Sequence, residues 1–195
     1  MKNNNIEKRV AEIRMEATEK ESRKIVGYAA VFNKDSEDLG GFVERIAPGA
    51  FTEAIGTSDV RALFNHDQNL ILARNTSGTL ELIEDETGLR YEFDAPDTTF
   101  GNDLLEMIKR GDVNQSSFGF TVKSETWEER NNYVYRTINK VERLYDVSPV
   151  TFPAYPDASV AVRSMKEQLE AEETVNEFEE QIKMKIVKAA IDKHS

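Results

Sequence analysis

The chain has 195 residues, enough for one domain with a substantial core plus an appendage. Acidic residues outnumber basic ones 36 to 25, for a formal net charge of −11, and such a field repels a phosphate backbone and argues against nucleic acid as a partner. The absence of cysteine excludes thiol nucleophiles, disulfides and thiolate metal sites, and the two histidines, His66 and His194, are too few for the usual zinc ligand set, so no metal or cofactor is expected.

The N-terminal MKNNNIEKRV lacks the apolar core of a signal sequence, and no apolar run reaches membrane-spanning length. A soluble, non-exported protein without a membrane partner is expected. RVAEIRMEA (9–17) alternates, with Ala11, Ile13, Met15 and Ala17 on one side, and predicts a half-buried strand. ATEKESR suits a hairpin into KIVGYAAVF (24–32), a more apolar strand in which Gly27 marks a bulge or a close approach. KDSEDLGG (34–41) reads as a loop and FVERI (42–46) as a short strand. APGAFTEAI (47–55) then predicts a helix with Pro48 near its first turn.

VRALFN (60–65) is the next strand, and His66 follows it in the polar run NHDQN, placed to face a cleft. Strands are expected around 71–74 and over 78–84. EDETG turns the chain back into LRYEFDA (89–95). TTFGNDLLEMIKRG (98–111) carries Leu104, Leu105 and Ile108 on one helical face and ends on Gly111, a good residue just past a helix. SFGFTVKSETW and NYVYRTINKVERLYDVSPV are long strands joined at EERNN, followed by a segment that Pro153 and Pro156 keep extended or turning. About eight closely spaced strands and two helices predict an α+β, mainly β fold of barrel or sandwich type over residues 1–163. In 164–195, Val175, Phe178, Ile182, Ile186 and Ala190 recur at helical spacing, with Thr174 and Glu177 as a capping box. A C-terminal helical tail is expected there, packed on the barrel or docking on a partner helix.

A serine hydroxyl needs a base within hydrogen-bond reach, and the base benefits from a group that fixes its tautomer. His194 lies at the chain's end, which leaves His66 as the imidazole. Ser117 or its neighbour Ser116, in QSSFGF, can be the nucleophile. Asp146, set among apolar residues in LYDVSPV, calls for a partner. From spacing alone this trio is a weak signal, since serines in strands and histidines in loops are mostly structural. Carboxylate pairs offer a second enzyme class: Asp94 with Asp97, or Glu84 with Glu86, could act as acid and base, although in so acidic a chain such pairs are usually solvated.

GYAAVFN (27–33), ERIAPGAFTEAI (44–55), FNHD (64–67), SSFGF (116–120) and DVSPVTFPAYPDA (146–158) occur in this order. Together, over about residues 25 to 160, they resemble the prohead (capsid maturation) proteases of tailed bacteriophages, a family similar to the herpesvirus assembly proteases. The resemblance implies a serine endopeptidase on a herpesvirus-protease-like β-barrel flanked by helices. It implies His66 as base, Ser117 as nucleophile and Asp146 as the orienting acid, where the family often has glutamate. Backbone N–H groups would form the oxyanion hole. The implied substrates are the scaffolding segment of the major capsid protein and the protease itself, with a homodimer conceivable by analogy to the herpesvirus enzymes. The implied location is the host cytoplasm, inside the viral procapsid. Arg163 and Lys166 stand at the domain edge, where self-cleavage could remove the tail. The rival reading is a non-enzymatic assembly factor on the same fold that uses the tail to bind scaffold.

Overall fold

The computed structural model describes residues 6–11, 16–17, 23–39, 41–130 and 133–152, with the side chains of Val10, Ala11, Glu16 and Ala17 left aside. The expected tail over 164–195, the segment around Pro153 and Pro156, the 163/164 boundary and His194 lie outside the described residues.

The described residues are mostly strand. They form β1 (Glu7–Ala11), β2 (Glu16–Ala17), β3 (Lys24–Val31), β4 (Phe42–Ile46), α1 (Thr52–Thr57), β5 (Arg61–Phe64), β6 (Asp67–Arg74), β7 (Leu80–Glu84), β8 (Gly88–Asp94), α2 (Thr99–Arg110), β9 (Gln115–Arg130) and β10 (Tyr133–Val150). A curled six-stranded sheet runs β1-β9-β10-β5-β6, with β4 also paired to β10; a four-stranded sheet runs β2-β3-β8-β7. The β9–β10 hairpin is the spine. Its strands are 16 and 18 residues long, and register shifts along β10 break the ladder and let it curl. On its other edge β10 pairs in parallel with β4 over Val134–Ile138 and with β5 at Asp146 and Val147. The sequence between them supplies α1.

One apolar cluster fills the space between the sheets. Ile25, Leu89, Tyr91 and Phe93 of the smaller sheet meet Phe118, Phe120, Leu144 and Val147 of the larger, closed by Phe51 and Ala54 near α1 and Leu104, Leu105 and Ile108 of α2. Helix α2 matches its sequence signals: Thr98 caps it by accepting from Gly101 N, and Gly111 closes it at φ 81°. The glycine at 101 is sterically required, since a Cβ there would sit 2.2 Å from Pro96 O.

Three local expectations change. The described ends of residues 9–17 belong to different sheets: β1 joins the larger and β2 the smaller. The buried side of β1 carries charge, with Glu7 and Arg9 at 5% and 7% exposure, because ion pairs satisfy them there. The first helix begins at Thr52 rather than at Ala47, and 47–50 form turns with Gly49 at φ 84°. The bulge in β3 falls between Tyr28 and Ala30, not at Gly27, and a close approach lies across from it at Gly88, whose added Cβ would lie 2.0 Å from Ala30 O.

Candidate active site

Directly opposed residues of an antiparallel pair project to the same face, so register decides which side chains can meet. Ser117 lies opposite Ser148, and Gly119 opposite Asp146. These four positions form a patch across β9 and β10. Two residues earlier, Leu144 lies opposite Phe120, so β10 advances two residues while β9 advances one. The extra residue, Tyr145, is a β-bulge. Without it Asp146 would share the core-facing side of Leu144; with it, the carboxylate turns to the side of Ser117.

His66 reaches this patch from β5 and β6. Asn65 and His66 are the two residues of the tight turn that links the strands, both left-handed, at φ 54° and 58°. This is the geometry of a two-residue hairpin turn, and Asn and His are among the side chains that tolerate it best. The turn is pinned to the end of β10: Asn65 N donates to Pro149 O at 3.0 Å, and Thr151 N donates to Asn65 Oδ1 at 2.9 Å. The strain at the tip is thus held by the strand that carries Asp146.

The three side chains meet. His66 Nε2 lies 2.7 Å from Ser117 Oγ, and His66 Nδ1 lies 2.5 Å from Asp146 Oδ2. Ser148 Oγ donates to the same Asp146 oxygen at 2.6 Å. The other carboxylate oxygen lies over Gly119, where a Cβ would come within 2.6 Å of it. Ser117 is fully buried, and the side chains of His66 and Asp146 are 8% and 11% exposed. With Nδ1–H donated to the carboxylate, Nε2 is free to take a proton, as a general base must be. The shorter aspartate therefore reaches the imidazole from this strand.

Ser116 belongs to a different environment. It alternates to the opposite face of β9, where its Oγ is 2.7 Å from Tyr91 Oη across the two sheets, and both residues are fully buried. Burial raises the Tyr91 phenol pKa above its ordinary range, which keeps it neutral. The carboxylates of the rival pairs are half-buried or exposed. Glu84 accepts from Thr52 Oγ1 at 2.5 Å and from Gly49 N at 2.8 Å, which ties β7 to the turn that leads into α1. Glu86, Asp94 and Asp97 are exposed. Among the described residues no group of three His, Cys, Asp or Glu side chains is placed to hold a metal ion, and no helix is long and apolar enough to cross a membrane.

Three contributors escaped the sequence reading: Gly119, Ser148 and Asn65. A glycine inside an apolar strand signals a close approach, and a serine two residues after an acid in a strand shares its face. The value of Asn65 depended on knowing that the turn has only two residues.

The family model for caudovirus prohead serine proteases matches residues 10–186, nearly the whole chain. The chain belongs to this family. It is thus a serine protease of the phage prohead class, and the match continues beyond residue 163 into the segment read as a tail. No curated protein and no solved structure matches the chain.

Proposed function

We propose that the protein is the serine endopeptidase of phage head maturation, with Ser117 as nucleophile, His66 as general base and acid, and Asp146 as the group that orients the imidazole. The observation that carries this reading is the pair of contacts at the two ends of one imidazole ring, to Ser117 Oγ at 2.7 Å and to Asp146 Oδ2 at 2.5 Å. In the proposed sequence Ser117 Oγ attacks the scissile carbonyl as its proton passes to His66 Nε2. Asp146 stabilises the imidazolium, Nε2 then protonates the leaving amine, and water repeats the cycle on the acyl-enzyme. Ser148 and Gly119 position Asp146 by a second hydrogen bond and by making room. A herpesvirus-protease-like barrel with residues 1–163 as the catalytic unit and 164–195 as a helical tail fits this role. The substrates are the scaffolding segment of the major capsid protein and the protease itself, inside the procapsid in the host cytoplasm.

Co-expression with the major capsid protein, read by intact mass, tests the proposal. Wild type removes the scaffolding segment; Ser117→Ala and His66→Ala leave it intact. Asp146→Asn slows cleavage by roughly 10⁴-fold, the scale of losing the correct tautomer in a Ser-His-Asp triad. Full processing by both Ser117→Ala and His66→Ala would contradict the mechanism and favour a non-enzymatic assembly factor.

A further inference from the structure

Strand β1 has an unusual neighbour. It pairs antiparallel with the segment of β9 that carries Ser117: Glu7 opposite Phe120, Arg9 opposite Phe118, Ala11 opposite Ser116. The other edge of this β9 segment is taken by β10. So β1 occupies the one edge of β9 where an extended peptide could lie beside Ser117. Its backbone also enters the site, since Ser117 Oγ donates to Arg9 O at 2.8 Å. The hydroxyl has a single proton. If that proton goes to Arg9 O, it is not offered to His66 Nε2, and the hydroxyl is turned from its base toward a main-chain carbonyl. With Ser117 fully buried, no scissile carbonyl can approach while β1 is in place.

Among the described side chains of β1, the buried anchorage is polar. Arg9 binds Glu44 through two hydrogen bonds, Nε to Oε1 at 2.6 Å and Nη2 to Oε2 at 2.9 Å, and donates to Glu7 at 2.7 Å. Glu7 accepts in turn from both terminal nitrogens of Arg136, at 2.6 and 2.9 Å. Such a clamp gives β1 one geometry, and its strength depends on every partner staying in place.

We propose that the β9 edge now held by β1 is the peptide-binding surface: substrate adds there as an extended strand, antiparallel to Ser116–Phe120, after β1 is released. The partner is a polypeptide segment recognised first through main-chain hydrogen bonds, by strand addition to a sheet edge. β1 is then an internal strap that keeps the serine covered until released. This rests on the serine-protease reading above.

The test uses the intact chain and a fluorophosphonate probe, with labelling of Ser117 followed by mass. Arg9→Ala and Glu7→Gln, each checked for folding by circular dichroism, are expected to label at least ten times faster than wild type. An excess of a synthetic peptide of residues 5–13 should return them toward the wild-type rate. Folded clamp variants that label at the wild-type rate, or are indifferent to the peptide, overturn the proposal. Amide hydrogen exchange on wild type decides the matter if the variants do not fold. Residues 7–11 are expected to exchange faster than the β9–β10 pairs, and equal protection overturns the strap. Failure of the catalytic reading looks different: His66→Ala would then label as fast as its parent, or no chain would label at all.

Discussion

At the scale of single residues the site is a problem of space and protons. Asp146 accepts from His66 and Ser148 on one oxygen, and its other oxygen needs the empty space above Gly119. Gly119→Ala therefore pushes the carboxylate off the imidazole. We expect a folded protein with a roughly 100-fold loss of cleavage rate, the usual cost of misplacing a catalytic group by about 1 Å; the check is a melting curve beside a rate. Ser116 gives the complementary case. Ser116→Ala leaves the rate within a few-fold of wild type but strands the buried Tyr91 hydroxyl, costing about 1–3 kcal/mol in a denaturant titration. A large loss of rate with unchanged stability would instead point to Ser116 as the nucleophile. The adjacency of the two serines hides this division of labour in the sequence, because only the strand's alternation tells their faces apart.

At the scale of elements, two irregularities build the site: the left-handed turn at Asn65-His66 and the bulge at Tyr145. Asn65→Gly keeps the backbone conformation and should retain most activity. Both variants lose the Thr151 contact, but only Asn65→Val also puts a β-branched residue at positive φ, a strain of roughly 1–2 kcal/mol. Its melting temperature should fall by about 2–4 °C per kcal/mol lost, and cleavage should fall with it. Equal behaviour of the two variants would remove the turn from the account. These irregularities also mark how far the sequence could be read. The long hairpin of β9 and β10, the β7–β8 turn and α2 with Thr98 and Gly111 were legible because periodicity and capping are local. The bulge was not, since one extra residue in an alternating strand shows only against its partner's register. The same holds for residues 9–17, where alternation suggested one strand and the described ends belong to two sheets.

At the scale of the whole molecule, the feature furthest from the sequence reading is the buried ionic cluster of Glu7, Arg9, Glu44, Arg136 and Glu125, which ties β1, β4, β9 and β10 together. Burial works against the charge of Arg136, but Glu7, Glu44 and Glu125 outweigh it and push the guanidinium pKa above its already high ordinary range. Removing that cation leaves the buried Glu7 and Glu44 carboxylates to share the single guanidinium of Arg9. Arg136→Ala should destabilise the protein by about 3–5 kcal/mol in chemical denaturation. A loss below about 1 kcal/mol would mean that water reaches the cluster. Charged residues separated by 35 to 129 positions carry no local signal of such pairing. The proposed triad was accessible from sequence for the opposite reason: with His66 as the usable imidazole, few combinations remained, and the family resemblance chose among them.

Where a serine-reactive probe lands separates Ser117 from Ser116 and tests the part of His66. After incubation of the whole chain with a fluorophosphonate, peptide mapping should place the adduct on Ser117, with Ser116 unmodified and no adduct in His66→Ala. An adduct on any other residue, or one that forms on Ser117 equally well without the His66 imidazole, would contradict these assignments.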